Sequence, residues 1–385
     1  MTPNSQVLSS PWKDWGAARV SVGLRLVRGR RTGGVEPRPR ARVQRAGGES
    51  TGPTSPWRAC ACVSAVAGDA SGDTGRSRKA RLLGHVQHPD RYRERLLLSG
   101  GAPIALSVWQ AAEPSQVVVF VPGTGVHPLF YEEFLDALAT SGRGVVGVHP
   151  RGHGKSPRVP GGLRWDDLVA NTVDACTWVA ETFGLPTVLI GSSQGSLVAL
   201  LAAAAGAPVR GVIAHNVFDP NQPDAAMVTR FGAVGGAQRL ARRLLSAAAD
   251  LAPRLPVPIT AYLDPDRVFG STWTRELFDV DPLARHAYPL RFLADLVTVD
   301  TSRLYDGSLA VPVVVLAARD DPLFPLPGIQ AVADRLQAPS VDLVVLDTDC
   351  HLVLNEALDL ALPAVVAALD RMPTTAAADQ GARPR

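Results

Sequence analysis

The run Val117-Val118-Val119-Phe120-Val121 has no polar face. A strand with one side in water alternates apolar and polar residues. Five consecutive apolar and mostly β-branched positions therefore call for cover on both faces, as in a parallel sheet flanked by helices. Further apolar stretches lie at residues 144–148, 187–190, 209–217, 311–317 and 341–346. Between them, helical spacing predicts helices over 131–140, 165–183, 197–205, 329–336 and 354–369, with Trp165 and Cys176 as core residues of the second. Residues 93–98 and 104–109, around the turn Ser99-Gly100-Gly101-Ala102-Pro103, read as an entry hairpin. The alternation predicts an α/β fold with a mostly parallel, doubly wound sheet.

The alternation stops between Phe218 and Ser308. This segment reads as helical, with a basic face at Arg239, Arg242 and Arg243 and breaks at Pro253, Pro256 and Pro258. The expected organisation is a core of residues 82–217 and 309–370, an inserted helical cap or lid at 218–308, and disordered ends at 1–81 and 371–385. Residues 1–81 carry 15 Lys+Arg against 5 Asp+Glu, net +10, which leaves 24 against 31, net −7, for the remainder. Their Arg, Gly, Pro and Ser content and lack of apolar period predict a disordered basic segment, or sequence ahead of the true start of the protein. Without aromatic interleaving or an amphipathic face, this tail predicts neither a nucleic-acid nor a membrane contact. No run of about 18 apolar residues and no signal-peptide pattern occurs, so a cytoplasmic protein without an integral membrane segment is expected. The four cysteines, Cys60, Cys62, Cys176 and Cys350, suggest no disulfide framework and, with the histidines, no zinc site.

Functional chemistry centres on Gly191-Ser192-Ser193-Gln194-Gly195, between a predicted strand and a predicted helix. A G-x-S-x-G match alone is weak, since about 0.2 are expected by chance at this composition. Its context is that of a nucleophile elbow, in which a sharp turn exposes a serine hydroxyl beside a base and near backbone N–H donors. In a doubly wound sheet the partners should lie after later strands. Asp320 and Asp321 follow residues 311–317, and His351 follows residues 341–346, in the order Ser, Asp, His.

On these motifs, residues from about 92 to 370 resemble an α/β-hydrolase fold serine hydrolase, with bacterial esterases and lysophospholipase- or monoacylglycerol-lipase-like members nearest in character. The resemblance implies Ser193 as nucleophile, His351 as general base and Asp321 as the acid, through the pattern Asp-x-x-x-Pro ending at Pro325. Asp320 or another carboxylate remains an alternative. The loop Pro122-Gly123-Thr124-Gly125 is similar to the family's oxyanion loop, which implies the N–H groups of Thr124 and Gln194 as donors to the oxyanion. Arg151-Gly152-His153-Gly154-Lys155-Ser156 resembles a structural turn of the family. Two departures stand out: Pro122 where His is usual before the loop glycine, and His149 where Asp is common before the turn. Gly123, Gly125, His127 and Phe218 are expected at the substrate, although His127 reads equally as an ordinary loop histidine. The resemblance places the lid at 218–308, where Phe218, Met227, Phe231, Phe269, Trp273, Phe278 and Phe292 are expected to shape an acyl pocket.

The implied activity is hydrolysis of a small-molecule carboxylic ester of small to medium acyl chain, or a lysophospholipid- or monoacylglycerol-like one, through an acyl-enzyme and without cofactor or metal. Serine at the elbow argues against haloalkane dehalogenase and epoxide hydrolase chemistry, which use Asp there. Thioesterase, acyltransferase, peptidase, cofactor-free haloperoxidase and carbon-carbon bond hydrolase activities remain open on the same triad, as does a non-enzymatic binding protein of this fold. Oligomeric state is not legible.

Overall fold

The apolar runs pair as their two-faced composition requires. The computed structural model describes residues 86–158, 162–222, 229 and 238–373. The expected basic segment 1–81, residues 374–385, Met227 and Phe231 lie outside them. Ten strands are present among the described residues: β1 Tyr92–Ser99, β2 Ala102–Trp109, β3 Val117–Val121, β4 Gly144–His149, β5 Thr187–Ser192, β6 Gly211–His215, β7 Pro256–Pro258, β8 Ala287–Pro289, β9 Val313–Ala318 and β10 Val341–Leu346. Eight form one sheet in the order β1-β2-β4-β3-β5-β6-β9-β10. The pairs β1–β2 and β2–β4 are antiparallel, and the rest are parallel. The hairpin closes through Gly100 and Gly101, whose φ values of 54° and 79° suit a two-residue turn matched to strand twist.

Every residue of β3, β4, β5, β6 and β9 is buried. Helices Trp165–Phe183 and Gln194–Ala204 supply part of the cover. The second is buried at all eleven positions, which explains why residues 197–204 are apolar around the whole helix instead of on one stripe. Element ends differ from expectation by a few residues. The helix expected at 197–205 starts at Gln194, and the one expected at 329–336 is Leu326–Ala333. The single helix expected at 354–369 is two, Val353–Glu356 and Leu358–Arg371. Met372, expected in a tail, is buried, and its sulfur occupies the space a Cβ on Gly211 would need.

Between β6 and β9 lies an insertion, called the cap below, which contains the helices Gln238–Leu251, Thr272–Val280 and Leu290–Thr298. It also contains the antiparallel pair β7–β8, which three-residue, proline-bounded strands leave no period to reveal. A small apolar cluster of Ala249, Leu290 and Ala294, with Leu245 and Val257 against it, joins two of these helices to β7. The cap is tied to the core at Glu356, whose carboxylate accepts from the N–H groups of Gly270 and Ser271 and from the hydroxyls of Ser271 and Thr274. No described helix is long and apolar enough to cross a membrane.

Candidate active site

Ser193 sits between the end of β5 and the helix Gln194–Ala204 with φ 53° and ψ −121°. Positive φ is costly for a residue with a Cβ, on the order of 1–3 kcal/mol, and survives only where the surroundings enforce it. Here the Ser193 N–H donates to His215 O at 2.8 Å, and Ser193 O accepts from Ser196 N at 2.8 Å. The two elbow glycines permit the turn by close approach: a Cβ on Gly191 would meet the Gly195 carbonyl, and one on Gly195 would meet the backbone of Val121 and Pro122.

His351 follows β10 and is 2% exposed. Its Nε2 lies 3.2 Å from Ser193 Oγ, and its Nδ1 lies 2.9 Å from Asp321 Oδ2. The carboxylate that meets the imidazole is thus Asp321; its neighbour Asp320 is exposed. Asp321 Oδ1 accepts from the N–H groups of Leu323 and Phe324 at 2.7 and 2.9 Å. Burial acts to raise the Asp321 carboxyl, but the charge and hydrogen bond of His351 and these two N–H groups outweigh it and hold it below the usual range. The histidine ring stacks on Phe324 at 5.2 Å, and Phe324 in turn lies 5.4 Å from Phe218.

Thr124 and Gln194 line the same cavity wall as Ser193 and are joined through side chains, Thr124 Oγ1 donating to Gln194 Oε1 at 2.8 Å. Gln194 is the first residue of its helix, so its N–H has no acceptor within that helix. Two cavities meet at Thr124 and Ser193. The larger, about 560 Å³, is walled by Phe218, Leu245, Tyr262, Leu290, Leu293, Leu296 and Val297. The smaller, about 90 Å³, lies on the His351 side and includes Gly123, Thr260, Arg275 and Asp279.

Not every expected substrate residue reaches these cavities. His127 is fully buried and its Nε2 lies 2.6 Å from Asp281 Oδ2, so it bonds the cap instead of facing substrate. Gly125 is packed against the cap, where a Cβ would meet Arg285 O and Ile259 Cδ1 at 2.7 Å. Among the cap aromatics, Phe269 and Phe278 line the smaller cavity. Phe292 is fully buried and stacks on Tyr288 at 4.4 Å, while Trp273 lies at a separate surface depression. Leucine is the most frequent residue in the wall of the large cavity, and its cap positions Leu245, Leu263, Leu290, Leu293 and Leu296 carry no distinguishing motif.

The departure at His149 has a physical account. Its Nδ1 accepts from Lys155 N at 3.1 Å, the service a carboxylate gives such a turn, and its Nε2 pairs with Ser107 Oγ at 2.9 Å. Burial, followed by the nearby His127, Lys155 and His153, pushes its protonation well below the ordinary range, so the ring is a neutral acceptor.

Two residues escaped sequence reading. Asn216, at φ 57°, donates from Nδ2 to Asp321 Oδ2 at 2.8 Å and to His351 O at 3.1 Å, and so grips both partners of the serine. Beneath the elbow, Ser192 Oγ pairs with His215 Nδ1 at 3.0 Å and accepts from Tyr131 at 3.3 Å. The dipeptide His215-Asn216 at a strand end was the available signal.

The family model described as serine aminopeptidase, S33, matches residues 112–357. The chain belongs to this α/β-hydrolase family. As a family member it is a hydrolase. A monoacylglycerol lipase of Mycolicibacterium smegmatis is 27% identical over 267 residues, which cover 67% of this chain and 89% of that protein. Among solved structures, the monoacylglycerol lipase of Paleococcus ferrophilus has a TM-score of 0.55 at 20% identity, covering 69% of this chain and 98% of its own. A lipase in an open form has a TM-score of 0.60 at 23% identity, covering 73% and 98%. These two likenesses concern the fold.

Proposed function

We propose that this hydrolase cleaves carboxylic esters bearing one medium-length acyl chain on a small polar alcohol, of the monoacylglycerol kind. The observation that carries the reading is the position of Ser193 at the junction of a large apolar cavity and a small, more polar one. The first suits an acyl chain and is within the size range of ligand sites. The second suits the leaving alcohol. The activity of the M. smegmatis relative, as its name gives it, points the same way.

In the proposed mechanism His351 Nε2 takes the Ser193 proton as the hydroxyl attacks the ester carbonyl, and Asp321 holds the ring through Nδ1. The N–H groups of Thr124 and Gln194 receive the oxyanion. The alcohol leaves with the proton from His351, and water admitted to the same place hydrolyses the acyl-enzyme.

The test is a series of p-nitrophenyl esters and 1-monoacylglycerols from C2 to C16, with amino-acyl p-nitroanilides alongside, on wild type and Ser193→Ala. The reading expects a maximum at intermediate chain length, negligible anilide cleavage, and loss of all turnover in the variant. A preference for amino-acyl anilides would overturn it.

A further inference from the structure

We propose that Tyr288, carried by the cap, is a positioning residue for the oxyanion hole, so that the hole is complete only with the cap seated on the core. This rests on the assignment of the Thr124 and Gln194 N–H groups as oxyanion donors.

The direction of each hydrogen bond follows from one carbonyl. Arg151 O can only accept, so His153 Nδ1, 3.0 Å away, carries a proton. Burial lowers the His153 pKa to about 3, so the ring is neutral and Nε2 is a bare acceptor. The Tyr288 hydroxyl, 2.7 Å from Nε2, must then donate to it. That turns the phenol oxygen's lone pairs elsewhere, and the Gly125 N–H donates to them at 3.0 Å. Burial raises the Tyr288 phenol to about 12, so it keeps the proton this chain requires.

Gly125 is gripped at both ends, since its carbonyl accepts from Arg285 N of the cap at 2.7 Å. Its φ of 75° belongs to the left-handed region, a conformation such anchors must maintain. On the other side of Thr124, the Gly123 backbone faces the hydroxyl of Tyr131 in the core. Thr124 is therefore bracketed by two tyrosines, one from each part of the molecule. The Gln194 side chain, which receives the Thr124 hydroxyl, also faces the Tyr288 oxygen. One phenol thus touches the surroundings of both donors. It has little freedom to miss them, because its ring is fully buried, stacks on Phe292 at 4.4 Å and 14°, and belongs to the strand pair β7–β8.

Tyr288→Phe keeps the ring and removes the hydroxyl. In the full chain, kcat on p-nitrophenyl butyrate is expected to fall roughly tenfold with KM within about twofold, as for a group that acts on the transition state. The Ki of an alkylboronic acid, whose tetrahedral adduct on Ser193 puts an oxygen in the hole, should rise by the same factor. His153→Leu, which frees the tyrosine proton to oppose Gly125 N–H, should show the same coupled change more weakly, and His153→Gln, which restores an acceptor, should recover it. If Tyr288→Phe does not fold, the His153 pair carries the test. Unchanged kcat and Ki, or a fall in kcat without a matching rise in Ki, would overturn the proposal. Ser193→Ala separates the two levels: activity surviving there removes the underlying mechanism, whereas an inert Ser193→Ala beside a fully active Tyr288→Phe removes only the role of Tyr288.

Discussion

The core and the cap solve the same burial problem in opposite ways. In the core, whole strands and the helix Gln194–Ala204 disappear from solvent, and the covering layers share one continuous interior. In the cap, helix Gln238–Leu251 leaves Leu240, Leu244 and Leu251 at 58, 62 and 89% exposure. It turns Ala241, Arg242 and Leu245 toward the cavity. A two-sided interior fixes atoms closely enough to hold a strained serine, while a thin cap with a small cluster of its own can vary its wall without disturbing them. In the proposed mechanism, the core therefore carries the reaction and the cap carries the choice of ester, and the two meet at Gly125.

The largest effect that would break this division is on Ser193. Ser193→Ala is expected to lower kcat by about 10⁴-fold or more with thermal stability unchanged or higher, measured by ester turnover and calorimetry. Comparable turnover would move the chemistry elsewhere. Next comes Asn216→Gly, which removes the amide from Asp321 and His351 yet keeps a residue at ease with φ 57°. Loss of these buried charge-assisted bonds should cost roughly 10- to 100-fold in kcat. Wild-type kcat would show that Asp321 needs no help from β6.

Acid should destabilise the core through its buried histidines. His153 and His215 are buried with pKa values lowered to about 3, His215 first by burial and then by His351, and His149 is lowered as well. Their folded values lie below the unfolded one of about 6.5, so the unfolded chain binds more protons in between. Stability is whole above that range and falls as pH drops through it, by up to about 1.4 kcal/mol per unit for each histidine. Asp321, shifted below its ordinary value, adds a further loss only at lower pH. Denaturant unfolding at pH 7, 6 and 5 should show a steady decline, and a plateau down to pH 4 would contradict the neutral-histidine assignment.

The smallest effect should arise in the cap. Leu293→Trp adds bulk to the cavity wall and should shift the preferred acyl chain shorter while changing kcat for the shortest ester by no more than about threefold. An equal loss on every chain length would join the cap to the chemistry instead of to selection.

What was legible in the chain followed from local and periodic signals. The β-branched runs forecast buried parallel strands because no half-exposed strand tolerates them. The elbow was readable because its glycines leave room for backbone that would otherwise collide. His351 and the pair Asp320 and Asp321 were readable by their order after later strands, with Asp321 favoured by the family resemblance, and the structure brings His351 to Ser193 and Asp321 to His351. His127 misled because proximity to the oxyanion loop in sequence says nothing of Asp281, 154 residues away. Tyr288 was silent for the same reason, and Asn216 offered only its place after His215 at a strand end, because the partners of both are distant in sequence.

By itself the sequence determined which segments must be buried on both faces, where the chain turns sharply enough to present a serine, and that an insertion interrupts the sheet, since these depend on neighbours along the chain. Tertiary structure alone decided that the Asp321 carboxylate meets the imidazole while Asp320 faces solvent, that His127 and Gly125 serve the cap, and which cap residues wall the large cavity. Those outcomes depend on hydrogen bonds and contacts between elements far apart in sequence, whose directions exist only once the sheet has closed and the cap has come to rest upon it.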